Sequence, residues 1–382
     1  MEEIGEVSVI VLDAEHGKDG WDNFRDRGFD LVDVIPVRQH SNRGIHEKLR
    51  WAFDPRSDHP QGQSVGPEGT DRVLRQIEKY DLIWFSKIRS ASMLAQLSWP
   101  RSVLDLDDVP SVFETSVLQN GGSIPHKLMT GMRRWSWRRR EKLLEERFTT
   151  LAVCSEKDKC YLQSLGINTP IHVIPNGFEE PIGIAARTPA TPCRIGFIGI
   201  FDYYPNVEGI EWFVRNCWPK IKTKCPDVKL RLAGRFSNGS LQLAAKDIEP
   251  LGWVENIDDE VATWSLMIVP LHKGAGTRGK IAFGFSRCCP IVSTSLGAYG
   301  YEVETGREIL LADDPGRFAE ACLTILEKPQ DGASMAQRAH EKFLANWTWK
   351  AIQPRVWAAA DDCLRRSANE FGLGRRVASA TK

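Results

Sequence analysis

The chain has 382 residues, of which 42% are hydrophobic and 26% charged, and its 50 basic and 50 acidic residues give a formal net charge of zero. This length predicts two to three domains of about 150 residues each, and the composition excludes a disordered chain, a collagen-like fibre and a small disulfide scaffold. The absence of a basic excess disfavours a dedicated nucleic-acid-binding protein.

No stretch of the chain approaches the length of apolar sequence that a bilayer-spanning helix needs, and the first residues lack the basic segment of a secretory signal. The nine cysteines are odd in number and include no CxxC pair, and the eight histidines form no HExxH motif. We therefore predict reduced thiols in a cytoplasmic enzyme and expect no metal site.

Short apolar runs alternate with helical stretches in the first half, which indicates an α/β fold with mostly parallel sheets. Residues 38–70 are polar and rich in Gly, Pro and His, and they predict a long surface loop. Ser155 and Asp158 have the spacing of a capping box that opens a helix. Strands are predicted at 7–12, 31–36, 81–85, 101–106, 150–153 and 171–174, and helices at 21–27 and 156–166.

Residues 179–192 are rich in Pro and Ala without periodicity, and they predict a linker. The α/β pattern then begins again, so the sequence predicts two α/β halves. In the second half, strands are predicted at 193–198, 229–233, 266–269, 291–294 and 309–311, and helices at 206–224, 315–327 and 347–366.

The glycine-rich segment Gly274–Lys280 lies between a predicted strand and a helical run. Small residues let backbone amides approach an anion, and a helix N-terminus favours negative charge. Arg278 and Lys280 add donors suited to phosphate oxygens. A tight turn with solvated charges is the alternative. The segment also fits the first seven positions of a P-loop, but Ile281 stands where that motif needs a hydroxyl for magnesium, which disfavours a nucleoside triphosphatase.

The predicted strand at 101–106 leads into the acidic segment Asp105-Leu106-Asp107-Asp108. The pattern resembles the nucleophile strand of haloacid-dehalogenase phosphatases, in which that strand normally lies near the start of the catalytic domain. Here several predicted strands precede it. We therefore favour a turn capped by these carboxylates, then a functional or metal-binding carboxylate, and last a phosphatase.

Residues 129–148 hold seven basic and three acidic residues on a predicted helical segment that includes Trp135 and Trp137. Such a segment can lie on an anionic membrane surface or face an anionic acceptor. An ordinary amphipathic helix with a solvated basic face is an almost equal alternative.

From Ile195 onward the sequence resembles the retaining nucleotide-sugar glycosyltransferases of family 4, the "glycosyl transferases group 1" set. The resemblance rests on an ordered series of motifs, and it is weaker upstream, where Arg140-Glu141, Val153 and Ser155-Glu156 fit. The motifs are VIPNGF at 173–178, FIG at 197–199, YPN at 204–206, WF at 212–213, LRLAGR at 230–235, LGWV at 251–254, VPL at 269–271, GTR at 276–278, KI at 280–281 and PIVSTSLGA at 290–298.

This resemblance implies the GT-B fold, an α/β architecture of two Rossmann-like domains that face each other across a cleft. It implies an acceptor-binding domain at 1–180, to which a returning helix at 347–382 belongs, and a donor-binding domain at 190–346. The implied activity is metal-independent, retaining transfer of a sugar from a UDP- or GDP-linked donor to a glycan or lipid-linked acceptor. No cofactor and no nucleic acid are implied, and the place of action is the cytoplasm or the inner face of the plasma membrane.

The resemblance also implies roles for individual residues. The donor diphosphate would rest on Gly199, Gly276 and Thr277, with Arg278 and Lys280 neutralising its charge. Retaining members are thought to use the departing phosphate to help deprotonate the acceptor, so no protein nucleophile is implied. The base would lie near Trp253 and Val254.

The sequence departs from the family pattern at three positions. Phe283 and Lys273 stand where the family has paired glutamates, so Glu302 or Glu304 would have to contact the ribose, or donor binding is altered. Asp107 stands where the first domain often has a histidine, and its predicted role is a hydrogen bond to the sugar. The departures at Phe283 and Lys273 motivate one alternative, a catalytically degenerate binding or assembly protein. A nucleotide-sugar epimerase on the same fold is a second alternative.

Overall fold

The computed structural model describes residues 5–13, 28–39, 44–56, 63–94, 96–120, 123–181, 183, 186–235 and 247–370. The chain divides into two compact units. Unit 1 consists of 1–115, 122–174 and 353–382, and unit 2 consists of 116–121 and 175–352. The helix predicted at 21–27 lies outside the described residues. The acceptor-binding and donor-binding roles of the two predicted domains stay predictions.

Unit 1 is built around parallel strand pairs. In its main sheet β5, β6, β7 and β8 are hydrogen-bonded in that order and all parallel, while β1 pairs with β2 in parallel and β3 with β4 antiparallel. Strand β7 buries Leu151 and Val153 in the core of this unit. The strands are β1 (Ser8–Asp13), β2 (Asp30–Pro36), β3 (Arg38–Gln39), β4 (Gln63–Ser64), β5 (Ile83–Ser86), β6 (Trp99–Leu106), β7 (Phe148–Val153) and β8 (Ile171–Val173).

The helices of unit 1 correct one prediction. Residues 38–70 are not a long loop, because they contain a helix and the start of another, and Trp51 and Ala52 are buried there. The predicted capping box is confirmed, since Ser155 Oγ accepts a hydrogen bond from the Asp158 amide at 3.2 Å. The helices are α1 (Ile45–Phe53), α2 (Gly66–Ile77), α3 (Lys87–Ser92), α4 (Pro110–Gln119), α5 (Ile124–Glu141), α6 (Leu144–Arg147) and α7 (Glu156–Ser164). Helix α4 passes into unit 2 at Ser116.

The basic segment at 129–148 is not one helix. Helix α5 ends at Glu141, the short α6 follows, and Phe148 already begins β7. Trp137 is buried and packs edge-on against Trp51 with ring centroids 6.0 Å apart, whereas Trp135 is 45% exposed. The two tryptophans that the sequence grouped together therefore point to different environments.

Unit 2 contains a six-stranded parallel sheet in the order β11-β10-β9-β12-β13-β14. Counted from the first strand of the unit this order is 3-2-1-4-5-6, the order of a doubly wound dinucleotide-binding fold. Chain order reverses between β9 and β12. The strands are β9 (Arg194–Ile198), β10 (Lys229–Ala233), β11 (Ile248–Gly252), β12 (Leu266–Val269), β13 (Ile291–Ser293) and β14 (Leu310–Leu311).

Helices cover both faces of this sheet. Alternate residues of β12 enter two separate apolar clusters, Leu266 and Ile268 on one side and Met267 and Val269 on the other, as the two-residue period of a strand requires. The helix predicted at 206–224 is broken at Cys217. The helices are α8 (Tyr204–Asn216), α9 (Trp218–Lys224), α10 (Ile257–Ala262), α11 (Gly279–Ser286), α12 (Pro315–Glu327), α13 (Pro329–Asn346) and α14 (Trp349–Glu370), the last of which ends in unit 1.

All nine cysteines lie in the described residues, and all are free thiols. Cys160 is exposed, while five are buried in the cores of the units. Burial raises the pKa of each of these buried thiols, which are Cys154, Cys217, Cys289, Cys322 and Cys363. None of the helices in the described part of the chain combines the length and apolar character that a bilayer crossing needs.

Candidate functional site

In unit 2, the backbone at Gly199, after β9, and at Gly234, after β10, forms a surface without side chains, which we call the floor. The Gly199 amide donates to the Ala233 carbonyl at 3.0 Å, and a Cβ at Gly199 would come within 2.8 Å of Asn206 Nδ2. Gly234, which follows β10, has a φ of +133°, and a Cβ there would overlap the Gly199 carbonyl oxygen. The two turns thus meet backbone to backbone, which only glycine permits. This floor lies at the strand-order reversal, where doubly wound sheets bind ligands.

The glycine-rich loop after β12 lies beside this floor and forms the other part of the site. Gly274 and Gly276 have φ values of +131° and +67°, so both take conformations that glycine accepts without strain. The Gly274 amide donates to Ser116 Oγ at 3.0 Å, from the segment 116–121 that belongs to unit 2. This hydrogen bond anchors the start of the loop.

The side chain of Arg278 stabilises the loop through hydrogen bonds to the loop backbone. Its side chain is buried, and its guanidinium donates to the carbonyl oxygens of Ala275 and Gly276, the latter at 2.6 Å. The buried Tyr301 hydroxyl donates to the Arg278 carbonyl at 2.9 Å. Arg278 therefore holds the shape of the loop as well as bringing a charge to it.

Lys280 lies in the first turn of α11 and reaches the floor. Its Nζ donates to Asn206 Oδ1 at 2.7 Å and lies 4.1 Å from the ring centroid of Phe197, while Asn206 Nδ2 donates to the Ile200 carbonyl at 2.8 Å. Burial, and then the charge of Arg278, lower the pKa of Lys280 to about 7. No carboxylate of the described residues forms an ion pair with it. An ammonium group without a counter-ion at this place favours an anionic ligand.

The structure thus brings together five of the residues that the sequence singled out. Thr277 completes them, and its hydroxyl accepts a hydrogen bond from Asn176 Nδ2 at 3.0 Å. Asn206 links the floor to the loop, and sequence analysis assigned it no role of its own. The five predicted residues are Gly199, Gly276, Thr277, Arg278 and Lys280.

The residues predicted to bind the nucleoside are not brought together by the contacts that join the predicted diphosphate-binding residues. Trp253 is 84% exposed, and Val254 is partly buried against the apolar cluster around Trp264. Glu302 is exposed, and Glu304 is exposed and forms an ion pair with Arg307 at 3.7 Å. Neither carboxylate is bonded to the glycine-rich loop in the described part of the chain.

Phe283 and Lys273, which stand where the family has paired glutamates, both have charged neighbours. The guanidinium of Arg287 lies 4.1 Å from the ring centroid of Phe283, and its Nε pairs with Asp258 Oδ1 at 2.9 Å. Sequence analysis missed this pair, although Arg287 follows Phe283 at the helical i+4 spacing. Lys273 Nζ lies 3.7 Å from a Glu208 carboxylate oxygen.

In unit 1, Asp107 lies in the turn that follows β6. Its carboxylate pairs with Lys87 Nζ at 3.1 Å, and Cys154 Sγ donates to its carbonyl at 3.0 Å. Lys87 has a φ of +68°, an unusual value that marks a constrained position. Burial, opposed by a hydrogen bond from Trp84, raises the pKa of Asp105 to about 6. The predicted turn after the strand is present, while the capping role of these carboxylates and the role of Asp107 toward a sugar stay predictions.

Residues 192–328 match the family model described as glycosyl transferases group 1. This range contains the floor, the loop and Lys280. Unit 2 is a group 1 glycosyltransferase domain. A relative of this chain, described as an uncharacterized 44.6 kDa protein in the cps region of Klebsiella pneumoniae, is 24% identical over 294 residues, which are 74% of this chain and 74% of that protein.

Two solved structures resemble this chain over most of its length. HepE from Anabaena, in complex with UDP and glucose, superposes with a TM-score of 0.59 at 16% identity and covers 93% of this chain and 99% of its own. Sucrose-phosphate synthase from Thermosynechococcus elongatus gives a TM-score of 0.61 at 16% identity, covering 89% of this chain and 84% of its own. The predicted α/β GT-B fold and the assignment to transferase enzymes are confirmed.

Proposed function

We propose that this glycosyltransferase is retaining and metal-independent, and that it moves a sugar from a UDP- or GDP-linked donor to a glycan or lipid-linked acceptor. One observation carries the proposal: the Lys280 ammonium, without a carboxylate partner in the described residues, beside the floor at Gly199 and Gly234. HepE, whose solved structure contains UDP and glucose, shares the fold and supports a nucleotide-sugar donor.

The proposed chemistry follows from where charge develops. Breaking the bond between the anomeric carbon and the diphosphate places negative charge on the leaving phosphate while the sugar becomes oxocarbenium-like. Fixed cations aimed at that charge lower the barrier without reorganising. Lys280 supplies a cation, and Arg278 supplies another while it holds the loop amides in place. The departing phosphate accepts the acceptor proton, so the new bond forms on the face that the diphosphate leaves.

The proposed acceptor places the reaction in the cytoplasm or at the inner face of the plasma membrane. A lipid-linked glycan is anchored in the bilayer, so an enzyme without a spanning helix in its described part would bind there peripherally. The relative in a cps region supports a role in polysaccharide biosynthesis.

The proposal is tested by donor binding and product analysis on the full chain. We expect calorimetry to detect binding of UDP-glucose or GDP-mannose, with one base preferred. We expect slow release of the nucleoside diphosphate, with retained anomeric configuration by NMR and an unchanged rate in EDTA. No binding of either donor would overturn the proposal. Epimerised donor would establish the epimerase, and binding without any sugar release would establish the degenerate binding protein.

The pH dependence of donor binding gives a second test. Because Lys280 has a pKa of about 7 in the free protein and the diphosphate binds only its ammonium form, donor affinity should be highest below pH 7. It should fall by about tenfold for each pH unit well above that value. UDP-glucose is the suitable probe, since its diphosphate diester does not titrate in this range.

The control for this test is Lys280→Arg, whose guanidinium stays protonated. Calorimetry in buffers of different ionisation enthalpy should show proton uptake near pH 8 in the wild type and none in the variant. A wild-type affinity that is flat across pH 6 to 9, or the same slope in both proteins, would contradict the assignment.

A further inference from the structure

Helix α5 of unit 1 presents an apolar stripe to solvent. Ile124 and Leu128 are 76% and 71% exposed, and Met132 and Trp135 are each more than two-fifths exposed. Their spacing of four, four and three residues places all four on one face of the helix. The opposite face is packed, since Trp137 and Thr130 are buried. The stripe is therefore an outer surface of the unit and not an unfilled part of its core.

Helix α1 extends this stripe sideways. The ring of Phe53 lies 5.9 Å from that of Trp135, and Phe53 is 58% exposed. Leu49, one helical turn before Phe53, is also exposed. Contiguous exposed side chains of this size usually mark a surface that binds a partner. We call it the α1–α5 patch, and it consists of Leu49, Phe53, Ile124, Leu128, Met132 and Trp135.

The charges that α5 contributes beside the patch are mostly basic. Helix α5 contains six Lys and Arg residues and a single acidic residue, Glu141, which is buried and accepts hydrogen bonds from Ser111. Lys127 and Arg138 are exposed. Arg139 stacks over Trp135, with its guanidinium carbon 4.7 Å from the ring centroid, and it donates to the Phe53 carbonyl. The exposed apolar side chains therefore stand among cations.

We propose that the α1–α5 patch docks on a bilayer of anionic phospholipids. Apolar side chains would enter the acyl boundary, Trp135 would lie at the headgroup level, and the surrounding Lys and Arg side chains would contact lipid phosphates. A second copy of the chain is a poorer occupant, because an isologous contact would bring two basic rims together. The inference deepens the proposed function by naming the surface on which a lipid-linked acceptor is met.

The surface differs from the one that the sequence indicated. Trp137, Arg140 and Arg147 are buried and cannot contact lipid, although they belong to the basic segment at 129–148. The proposed surface instead includes the exposed side chains of Ile124 and Leu128, which precede that segment.

The test is flotation of the full chain with vesicles of phosphatidylcholine alone and of phosphatidylcholine mixed with phosphatidylglycerol. The wild type should float only with the anionic vesicles, and added salt should weaken binding. Trp135→Ala and Leu128→Glu should each lower the partition coefficient by about tenfold. Lys127→Glu should lower it by about fivefold or more, the effect expected of a charge near an anionic surface.

Matched controls come from the same chain. Trp357, 42% exposed on the part of α14 that belongs to unit 1, should be replaceable by alanine without effect, as should exposed Lys350 by glutamate in unit 2. Equal binding to both vesicle types, no binding, or equal losses in Trp135→Ala and Trp357→Ala would overturn the proposal.

If a second copy of the chain occupied the patch, the experiments would give a different result. A wild-type dimer by light scattering that Leu128→Glu dissociates, together with no vesicle binding, would assign the patch to a second copy and overturn the lipid proposal. The flotation assay contains no nucleotide sugar. Its failure with donor binding intact would therefore refute the docking surface alone, and loss of donor binding with flotation intact would refute only the proposed function.

Discussion

Replacing Lys280 by alanine is expected to weaken binding of the preferred nucleotide sugar by about 10- to 100-fold, because a charge-assisted hydrogen bond to phosphate contributes about 1.5–3 kcal/mol. The ammonium is held 2.7 Å from Asn206 beside the floor, whereas the Arg278 guanidinium is engaged by carbonyl groups of its own loop. Isothermal titration calorimetry with UDP-glucose or GDP-mannose at pH 6.5 measures the effect while the wild-type lysine is protonated.

Two comparisons separate lost charge from lost structure. Lys229→Ala removes a lysine of the same unit that is already paired with Asp247 at 3.0 Å, and it should leave donor binding unchanged. Lys280→Met should bind donor as poorly as Lys280→Ala yet be no less stable to heat, because burial of an uncompensated charge disfavours the folded state. Donor affinity in Lys280→Ala within twofold of the wild type would refute the assignment.

Replacing Gly234 by alanine should destabilise unit 2 strongly, by about 3 kcal/mol or more. The new Cβ would overlap the Gly199 carbonyl oxygen, and the φ of +133° is unfavourable for any residue with a side chain. The turns after β9 and β10 would have to separate, and donor binding would be lost with them. Urea unfolding followed by tryptophan fluorescence measures the change.

Gly252→Ala is the control for this prediction. Gly252 also has a positive φ, of +67°, but nothing lies within 4 Å of an added Cβ. It should therefore cost only the conformational strain, about 1 kcal/mol. If both variants shifted the unfolding midpoint equally, strain alone would explain Gly234 and the backbone contact with Gly199 would carry no special weight.

The sequence was sufficient where structure follows from local pattern. The apolar run of β12 and the glycine-rich loop after it are legible because a buried parallel strand is continuously hydrophobic and a phosphate loop needs small residues. Residues 45–53 were misread as loop because the surrounding residues 38–70 are polar and rich in Gly, Pro and His. The apolar side chains of α1 lie within that polar segment, and the structure buries Trp51 and Ala52 while Leu49 and Phe53 stay exposed.

The candidate site shows a different limit. Arg278 and Lys280 were found from residue type and position, but their surroundings depend on contacts between distant parts of the chain. Lys280 meets Asn206 across 74 residues, and the Gly274 amide meets Ser116 across 158. No spacing rule connects such partners, so the bracing of the loop and the lowered pKa of Lys280 became visible only in the folded chain.

Each unit contains buried cysteines whose chemical modification can report the local opening of that unit. Cys154 and Cys363 lie in the core of unit 1, and Cys217, Cys289 and Cys322 in that of unit 2. An alkylating reagent reaches such groups when the surrounding structure opens, so the rate of modification reports the local opening free energy. Peptide mass spectrometry over a time course can therefore compare the local opening free energies of the two units in the native protein. The experiment needs no engineered residue.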